Sequence, residues 1–416
     1  MAALMPQGPD MTSNETWTAA HRNVVVASFL GWMLDAFDFF LVVFVLRRLA
    51  SDFHTDVTAV TVGITATLAL RPVGAFIFGR VADHYGRRPA LMACILLYSA
   101  MELATAFASS LTIFITLRAL YGVAMGGEWG VGASLAFESV PTRSRGVVSG
   151  LLQAGYPCGY LLAAIVFGLL FDRIGWRGMF VIGALPALLV AFIFTKVPES
   201  QIWTAGRAEP ARRGLLAGLR GQWLLAGYAI VLMTCFNLFS HGTQDLYPLM
   251  LGAQRGFATG TISKIAVVYN IGAICGGLLF GSLSSRMGRC RSIALAAGLS
   301  LLMLPFWAYS TTPVTLAIAA FGMQFMVQGA WGVVPVHLNE LSPQGMRGTF
   351  PGVVYQLGNL IAAGNAPLQS VIATAHGPPG HPDYAFSLTL VCGVVAVALV
   401  LLALLGPERR DVRLAA

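Results

Sequence analysis

Charge is what this sequence has least of. Asp, Glu, Lys and Arg make up only 11% of its 416 residues, while 56% are apolar. The charged share is about half that of a soluble protein. Such a chain cannot cover itself with polar surface, which excludes an ordinary cytosolic globule, a disordered chain, a secreted disulfide scaffold and a collagen-like fibre. Paired cysteines are also missing: Cys94, Cys158, Cys235, Cys275, Cys290 and Cys392 stand singly, so neither a zinc site nor a disulfide framework is expected. The polar start, Met1 to Ala20, lacks a short apolar leader, so the first apolar run reads as a span of the protein itself. No nucleophile, base and orienter set, phosphate loop or metal set is visible, so an enzyme is not expected and neither a catalytic nor a metal site is assigned. The net charge of +8 is spread in short runs without a basic face, which argues against a nucleic-acid partner.

What is present is a series of long apolar runs. A helix rises 1.5 Å per residue and needs about 20 apolar residues to cross the hydrocarbon. Twelve runs qualify, at 22–46, 58–82, 89–109, 112–137, 146–171, 178–197, 222–249, 261–285, 291–310, 313–338, 348–374 and 384–405, numbered here as spans 1 to 12. They are continuous rather than alternating, which favours helices over a barrel. With both termini in the cytoplasm, 18 of the 26 Lys and Arg fall on the inner side, including Arg22, Arg80, Arg143, Arg207, Arg212, Arg213, Arg220, Arg286, Arg291, Arg409, Arg410 and Arg413. That asymmetry sets the expected orientation.

The chain repeats itself at an offset of 202 residues. Gly79-Arg-Val-Ala-Asp83-His-Tyr-Gly86-Arg87-Arg88 falls on Gly281-Ser-Leu-Ser-Ser285-Arg-Met-Gly288-Arg289-Cys290. In the same register Glu138-x-x-Pro141-x-x-x-Arg145-Gly146 falls on Glu340-x-x-Pro343-x-x-x-Arg347-Gly348, and Gly127-Glu128-Trp129-Gly130 on Gly329-Ala330-Trp331-Gly332. Two six-span halves, 22–197 and 222–405, are therefore expected around a cytoplasmic linker 198–221, with a cytoplasmic segment 1–21 before them and a tail 406–416 after. This is the architecture of a carrier that rocks about a central site. Asp83, Arg87, Arg88, Glu138, Arg145, Arg289, Glu340 and Arg347 are assigned to a cytoplasmic gate whose charges pair when the inner face is shut. The alternative is solvated loop charge.

Charge at membrane depth is costly, roughly 2.5–3.5 kcal/mol per residue on insertion scales, so each case is a candidate functional group. Asp35 and Asp38 share one face of span 1, and Glu102, Arg71, Arg118 and Glu128 complete the first half. A buried network is the structural alternative, with Arg118 paired to Asp35 or Asp38. Two adjacent carboxylates tend to share a proton. On span 7 His241 and Asp245 are four apart and stack on one face, and the repeat sets Asn237 against Asp35. On span 11 Tyr355, Gln356 and Asn359 offer neutral groups to a ligand oxygen. Arg71, a buried guanidinium, matches a carboxylate; its alternative is a permanent bridge to an acid of span 1 or 3.

The Gly79–Arg88 stretch and the twelve spans resemble the major facilitator superfamily. Asn237 to Asp245 resembles the N-x-x-S/T-H-x-S/T-Q-D-x-x-x-T signature of the lactate/pyruvate proton symporters, with Leu249 in place of its final Thr. With Trp32 to Phe40 and Gly126 to Gly130, it is similar to the sialate:proton symporter family that contains them. The resemblance implies an all-α integral membrane fold of two pseudo-symmetric six-helix bundles. It places carboxylate-transport residues at Arg71, His241, Asp245, Gln356 and Asn359. Expected, then, is an inner-membrane carrier importing a lactate- or pyruvate-like acid by alternating access. Substrate is held by Arg71, Gln356, Asn359, Asn237 and Tyr355. A co-transported proton, with no cofactor, is handled by Asp35, Asp38, Glu102, His241 and Asp245, beside the buried charges Arg118 and Glu128. The expected partners are a small organic anion and the lipid bilayer, and a monomer is expected. The alternatives are a sialic acid or other organic acid symporter and a proton-driven exporter; a membrane sensor lacks a signalling segment.

Overall fold

A computed structural model describes residues 16–206 and 221–409. The ends 1–15 and 410–416, and 207–220 of the expected linker with Arg207, Arg212, Arg213 and Arg220, lie outside the described residues, as do Arg410 and Arg413. Every regular element among the described residues is helical.

Nine described stretches are long and apolar enough to cross a membrane on composition alone. One of them, Thr142–Lys196, contains spans 5 and 6, parted at Gly175, whose φ of 63° favours glycine. Span 4, Leu111–Ser139, is diluted by Arg118, Glu128 and Glu138. Span 11 is divided into Phe350–Ala362 and Asn365–His376. Counting these crossings separately gives the twelve.

Spans 1 to 3 are Ala19–Asp52, Val57–Tyr85 and Arg87–Ala106. Span 7 runs Trp223–Gln244 and continues past a bend as a short turn, Tyr247–Leu249. Spans 8, 9 and 12 are Thr259–Met287, Arg289–Tyr309 and Tyr384–Leu405. Span 10 is Pro313–Trp331 followed by Val334–Leu341. Spans 7 and 11, read as continuous from the sequence, are thus broken, and span 10 breaks just before Pro335, each near a Gly or Pro that makes a bend easy.

The repeat is visible in the packing. Gly122, Gly126 and Gly74 let the backbones of spans 2 and 4 touch at Thr67, Arg71 and Val123; Gly272 and Gly276 do the same between spans 8 and 10 at Phe321 and Phe325. Gly86 and Gly288, with φ of 117° and 104°, end spans 2 and 8 at equivalent positions. The first half is filled by two apolar clusters. A third fills the second half and reaches across to Trp32 and Trp129.

Candidate functional site

The glycine contacts between spans 2 and 4 carry Arg71 into the interior, 5% exposed. Its Nη2 lies 3.6 Å from Asp35 Oδ2 and donates to Met125 Sδ at 3.0 Å, with the guanidinium 5.6 Å from the Phe39 ring centre. Glu128, one turn beyond Met125, is fully buried, and neither of its oxygens has a hydrogen-bond partner among the described residues. Asp35, Arg71 and Glu128 form one electrostatic group.

A second group lies toward spans 3 and 6. Arg118 Nη1 meets Glu102 Oε1 at 2.7 Å and its Nη2 donates to Thr105 Oγ1 at 3.0 Å, while Tyr121 and Phe180 cover the guanidinium. Asp38 is near: a Cβ on Gly183 would stand 3.1 Å from Asp38 Oδ1 and 3.2 Å from Glu102 Oε2. Arg118 is therefore paired with Glu102, correcting the expected partner, Asp35 or Asp38. Span 4 turns Arg118 toward span 3, whereas Arg71 on span 2 reaches span 1.

All six of these charges belong to the first half. At the repeat offset their counterparts are Asn237, Ser240, Ala273, Leu304, Ala320 and Ala330, none of them ionisable. The second half supplies softer groups. His241 Nδ1 lies 3.2 Å from Asp245 Oδ1 and His241 Nε2 lies 3.3 Å from Asn359 Oδ1, so spans 7 and 11 meet at the imidazole. The His241 and Asp245 side chains are each 38% exposed, unlike the sealed acids of the first half. Gln356 is buried with Oε1 unpartnered, and Asn237 turns back to its own helix, donating to the Met233 carbonyl. Arg71 is close enough to act electrostatically on His241 and Tyr355, which places the two halves around one centre.

Below that centre the rings of Trp129 and Trp331, equivalent under the repeat, flank Tyr355 at 4.7 and 5.7 Å, and Trp32 stacks on Tyr156. This aromatic floor separates the site from the end holding Asp83. There the halves are shut. Asp83 accepts from the Gly348 amide at 2.8 Å and from Thr349 Oγ1 at 2.6 Å, and Ser134 donates to Asn339 and to the Arg347 carbonyl. Gly150 lies on the backbone of Gly277, and Gly146 on the Gly281 carbonyl beside the Ser285 hydroxyl.

The gate pairs sit here too, with a correction: they brace each half internally. Arg87 forks onto Glu138 at 3.1 and 2.9 Å, and Arg289 onto Glu340 at 2.9 Å twice. Arg87 also meets Asp83 at 3.0 Å; at the equivalent place Arg289 finds Ser284 at 2.8 Å and Ser285 at 3.4 Å. Each fork joins the ends of two neighbouring helices of one half, 51 residues apart, and so cannot bridge the seam. Arg88 turns to the Phe194 carbonyl and ring, and Arg145 donates to the Phe137 carbonyl.

Residues 28–260, more than half of the chain, match the family described as Major Facilitator Superfamily, and residues 224–408 match Sugar (and other) transporter. The chain belongs to the Major Facilitator Superfamily. It is 30% identical to the sialic acid transporter NanX of Escherichia coli (strain K12), over 92% of this chain and 93% of that one. It is 29% identical to a carboxylic acid transporter protein homolog of Saccharomyces cerevisiae, over 95% of this chain and 69% of that one. The solved structure of the proton:xylose symporter XylE bound to 6-bromo-6-deoxy-D-glucose superposes with a TM-score of 0.77 at 18% identity, covering 94% of this chain and 96% of XylE, so this major facilitator shares its fold. It is a multi-pass membrane transporter of a small molecule, not an enzyme.

Sequence reasoning missed Met125 and Phe39, which hold Arg71 and look like any apolar lining. It also missed Glu199 and Glu408. Glu199 accepts from the amides of Arg87 and Arg88 at 3.0 and 3.2 Å, and Glu408 from those of Arg289 and Cys290 at 3.1 and 2.9 Å. These carboxylates cap spans 3 and 9, whose preceding glycines offer no side chain. The signal was present as Pro198-Glu199 and Pro407-Glu408 after the last span of each half, but at an offset of 209 rather than 202.

Proposed function

We propose that this major facilitator imports a small monocarboxylate, a lactate- or pyruvate-like 2-hydroxy or 2-oxo acid, together with a proton by alternating access, and that it belongs to the lactate/pyruvate branch of the sialate:proton symporters. One observation carries the reading. Arg71 is a buried guanidinium whose one ion pair among the described residues is a loose one, 3.6 Å, and whose other polar contact there is a thioether, a weak acceptor. An incoming carboxylate offers a planar pair of strong acceptors in place of both. The amides Gln356 and Asn359, with Tyr355 and Asn237 behind them, then address the hydroxyl or keto oxygen.

The coupling is electrostatic. An anion entering a low-dielectric chamber alone is opposed by desolvation, and a proton held by the surrounding acids offsets its charge. Asp35, Asp38 and Glu102 on one side and His241 with Asp245 on the other supply the titratable groups, and the reading calls on no cofactor. The seam at Asp83 is the inner gate of a monomer in the cell inner membrane, closed here, with both termini and the 198–221 connection in the cytoplasm. The likeness to a sialic acid transporter makes sialic acid the second substrate reading.

Proteoliposome uptake under an imposed pH gradient, inside alkaline, tests the function, with lactate, pyruvate, acetate and sialic acid as competitors. Lactate or pyruvate is expected to compete best; competition by sialic acid alone selects the second reading, and gradient-independent flux removes proton symport. Arg71→Ala is expected to lower uptake at least 100-fold in a protein that still elutes as a single folded species. Arg71→Lys, which keeps the charge and loses the fork, is expected to restore only a small part. Near-normal uptake by Arg71→Ala removes the substrate assignment.

A further inference from the structure

We propose that Glu128 carries the coupled proton, and that Arg71 is the group through which bound substrate senses it. The inference rests on the carboxylate-transport reading above and assigns a role to an acid that reading leaves idle.

The first half holds two sets of the same composition, two carboxylates to one guanidinium, and they are built differently. In the set of Asp38, Glu102 and Arg118 the cation is tightly held through both terminal nitrogens: a 2.7 Å bridge, a threonine hydroxyl and two aromatic faces fix it. That arginine is not free to exchange partners, and the set ties spans 3, 4 and 6 together. In the set of Asp35, Arg71 and Glu128 none of the four carboxylate oxygens has a hydrogen-bond partner among the described residues, and the cation leans toward Asp35 at 3.6 Å, which leaves Glu128 with neither a hydrogen bond nor an ion pair there. An isolated buried carboxylate is far more stable neutral than ionised. In the conformation seen, Glu128 is therefore the protonated member.

Its surroundings suit loading and discharge. Facing it are Asp35 of span 1, Arg71 of span 2, and Cys94 and Tyr98 of span 3. One carboxylate oxygen presses on Gly31, where any Cβ would collide with it. On the side of the shut seam it borders a cavity of about 10 Å³ lined by Ser28, Trp32, Gly132, Leu152 and Pro335, room for about one water. Pro335 belongs to the second half, so rocking the halves apart opens this cavity to the gate. With Glu128 ionised the set carries −1 when empty and −2 with a substrate anion; with Glu128 protonated it carries 0 and −1. Proton loading at Glu128 thus precedes anion binding, and discharge toward the opened seam follows it.

The test uses the full-length protein in proteoliposomes and the acid that the wild type takes up best in the competition above. Glu128→Gln fixes the neutral form. Gradient-driven accumulation is expected to fall at least tenfold, while substrate exchange without a gradient stays within about twofold of wild type and loses its pH dependence. Accumulation equal to wild type overturns the proposal. Should Glu128→Gln fail to fold, Glu128→Asp decides: it keeps the acid but withdraws it by one methylene, so the pH midpoint of exchange is expected to move, and an unchanged midpoint counts against Glu128. Wild-type flux that ignores the gradient sinks proton symport itself, an outcome separate from an indifferent Glu128→Gln in a coupled wild type.

Discussion

Arg71 and Arg118 carry the same group inside the first half and live by different rules. Arg118 has a close carboxylate, a hydroxyl and two rings, so removing it strands Glu102 in a sealed space. Breaking one side of such a buried pair costs about 3–5 kcal/mol, whereas removing both sides can be nearly neutral. Arg118→Met is accordingly expected to lower the apparent melting temperature in detergent by many degrees, and Arg118→Met with Glu102→Gln to recover most of that loss. A double variant as unstable as the single one would show that the pair is not the source. What was legible in the sequence at this scale were the charged residues themselves and the His241, Asp245 and Asn359 trio, because polar residues in an apolar run announce themselves. Their partners were not legible. Which acid Arg118 faces depends on how span 4 is rotated, and three-residue spacing leaves more than one neighbouring span open.

Among the helices, the decisive residues are those with no side chain. Gly150 rests on the Gly277 carbonyl across the seam, and Gly146 on the Gly281 carbonyl beside the Ser285 hydroxyl, so spans 5 and 8 touch there largely through backbone. Gly150→Leu is expected to hold the shut end apart: a cysteine placed at Ser285 on that side should react at least tenfold faster with a membrane-impermeant thiol reagent, on a background lacking the native cysteines, and uptake should fall correspondingly. Unchanged labelling and transport together would mean that the seam is looser than these contacts suggest. The twelve spans were readable from length and apolarity, and the repeat from three motifs in one register. The breaks in spans 7 and 11 were not, because a glycine or proline within an apolar run permits a bend without requiring one.

Across the whole molecule the two halves are matched at the shut end and mismatched at the centre. The Arg87–Glu138 and Arg289–Glu340 forks are near copies, each with its own glutamate cap, yet at the position beside them the first half has the carboxylate of Asp83, which reaches over to the opposite half, and the second half has the hydroxyl of Ser285. Asp83→Asn weakens that reach, and with it the Asp83–Arg87 pair, while keeping the Glu138 and Glu340 partners of both forks, and hydrogen bonds to charged groups are each worth about 1.5–3 kcal/mol. The balance between closed and open is therefore expected to move about 10-fold or more toward open. Distances between spin labels on either side of the seam read that shift, and an unchanged distribution would assign the closure to the glycine contacts alone.

A joint made of naked main chain has a mechanical consequence. When two surfaces meet through side chains, parting them uncovers many methyl groups to water, and the act becomes uphill in proportion to the area exposed. At these glycine contacts little hydrocarbon is bared, so parting spans 5 and 8 adds little to the cost of the swing between the two faces of the membrane.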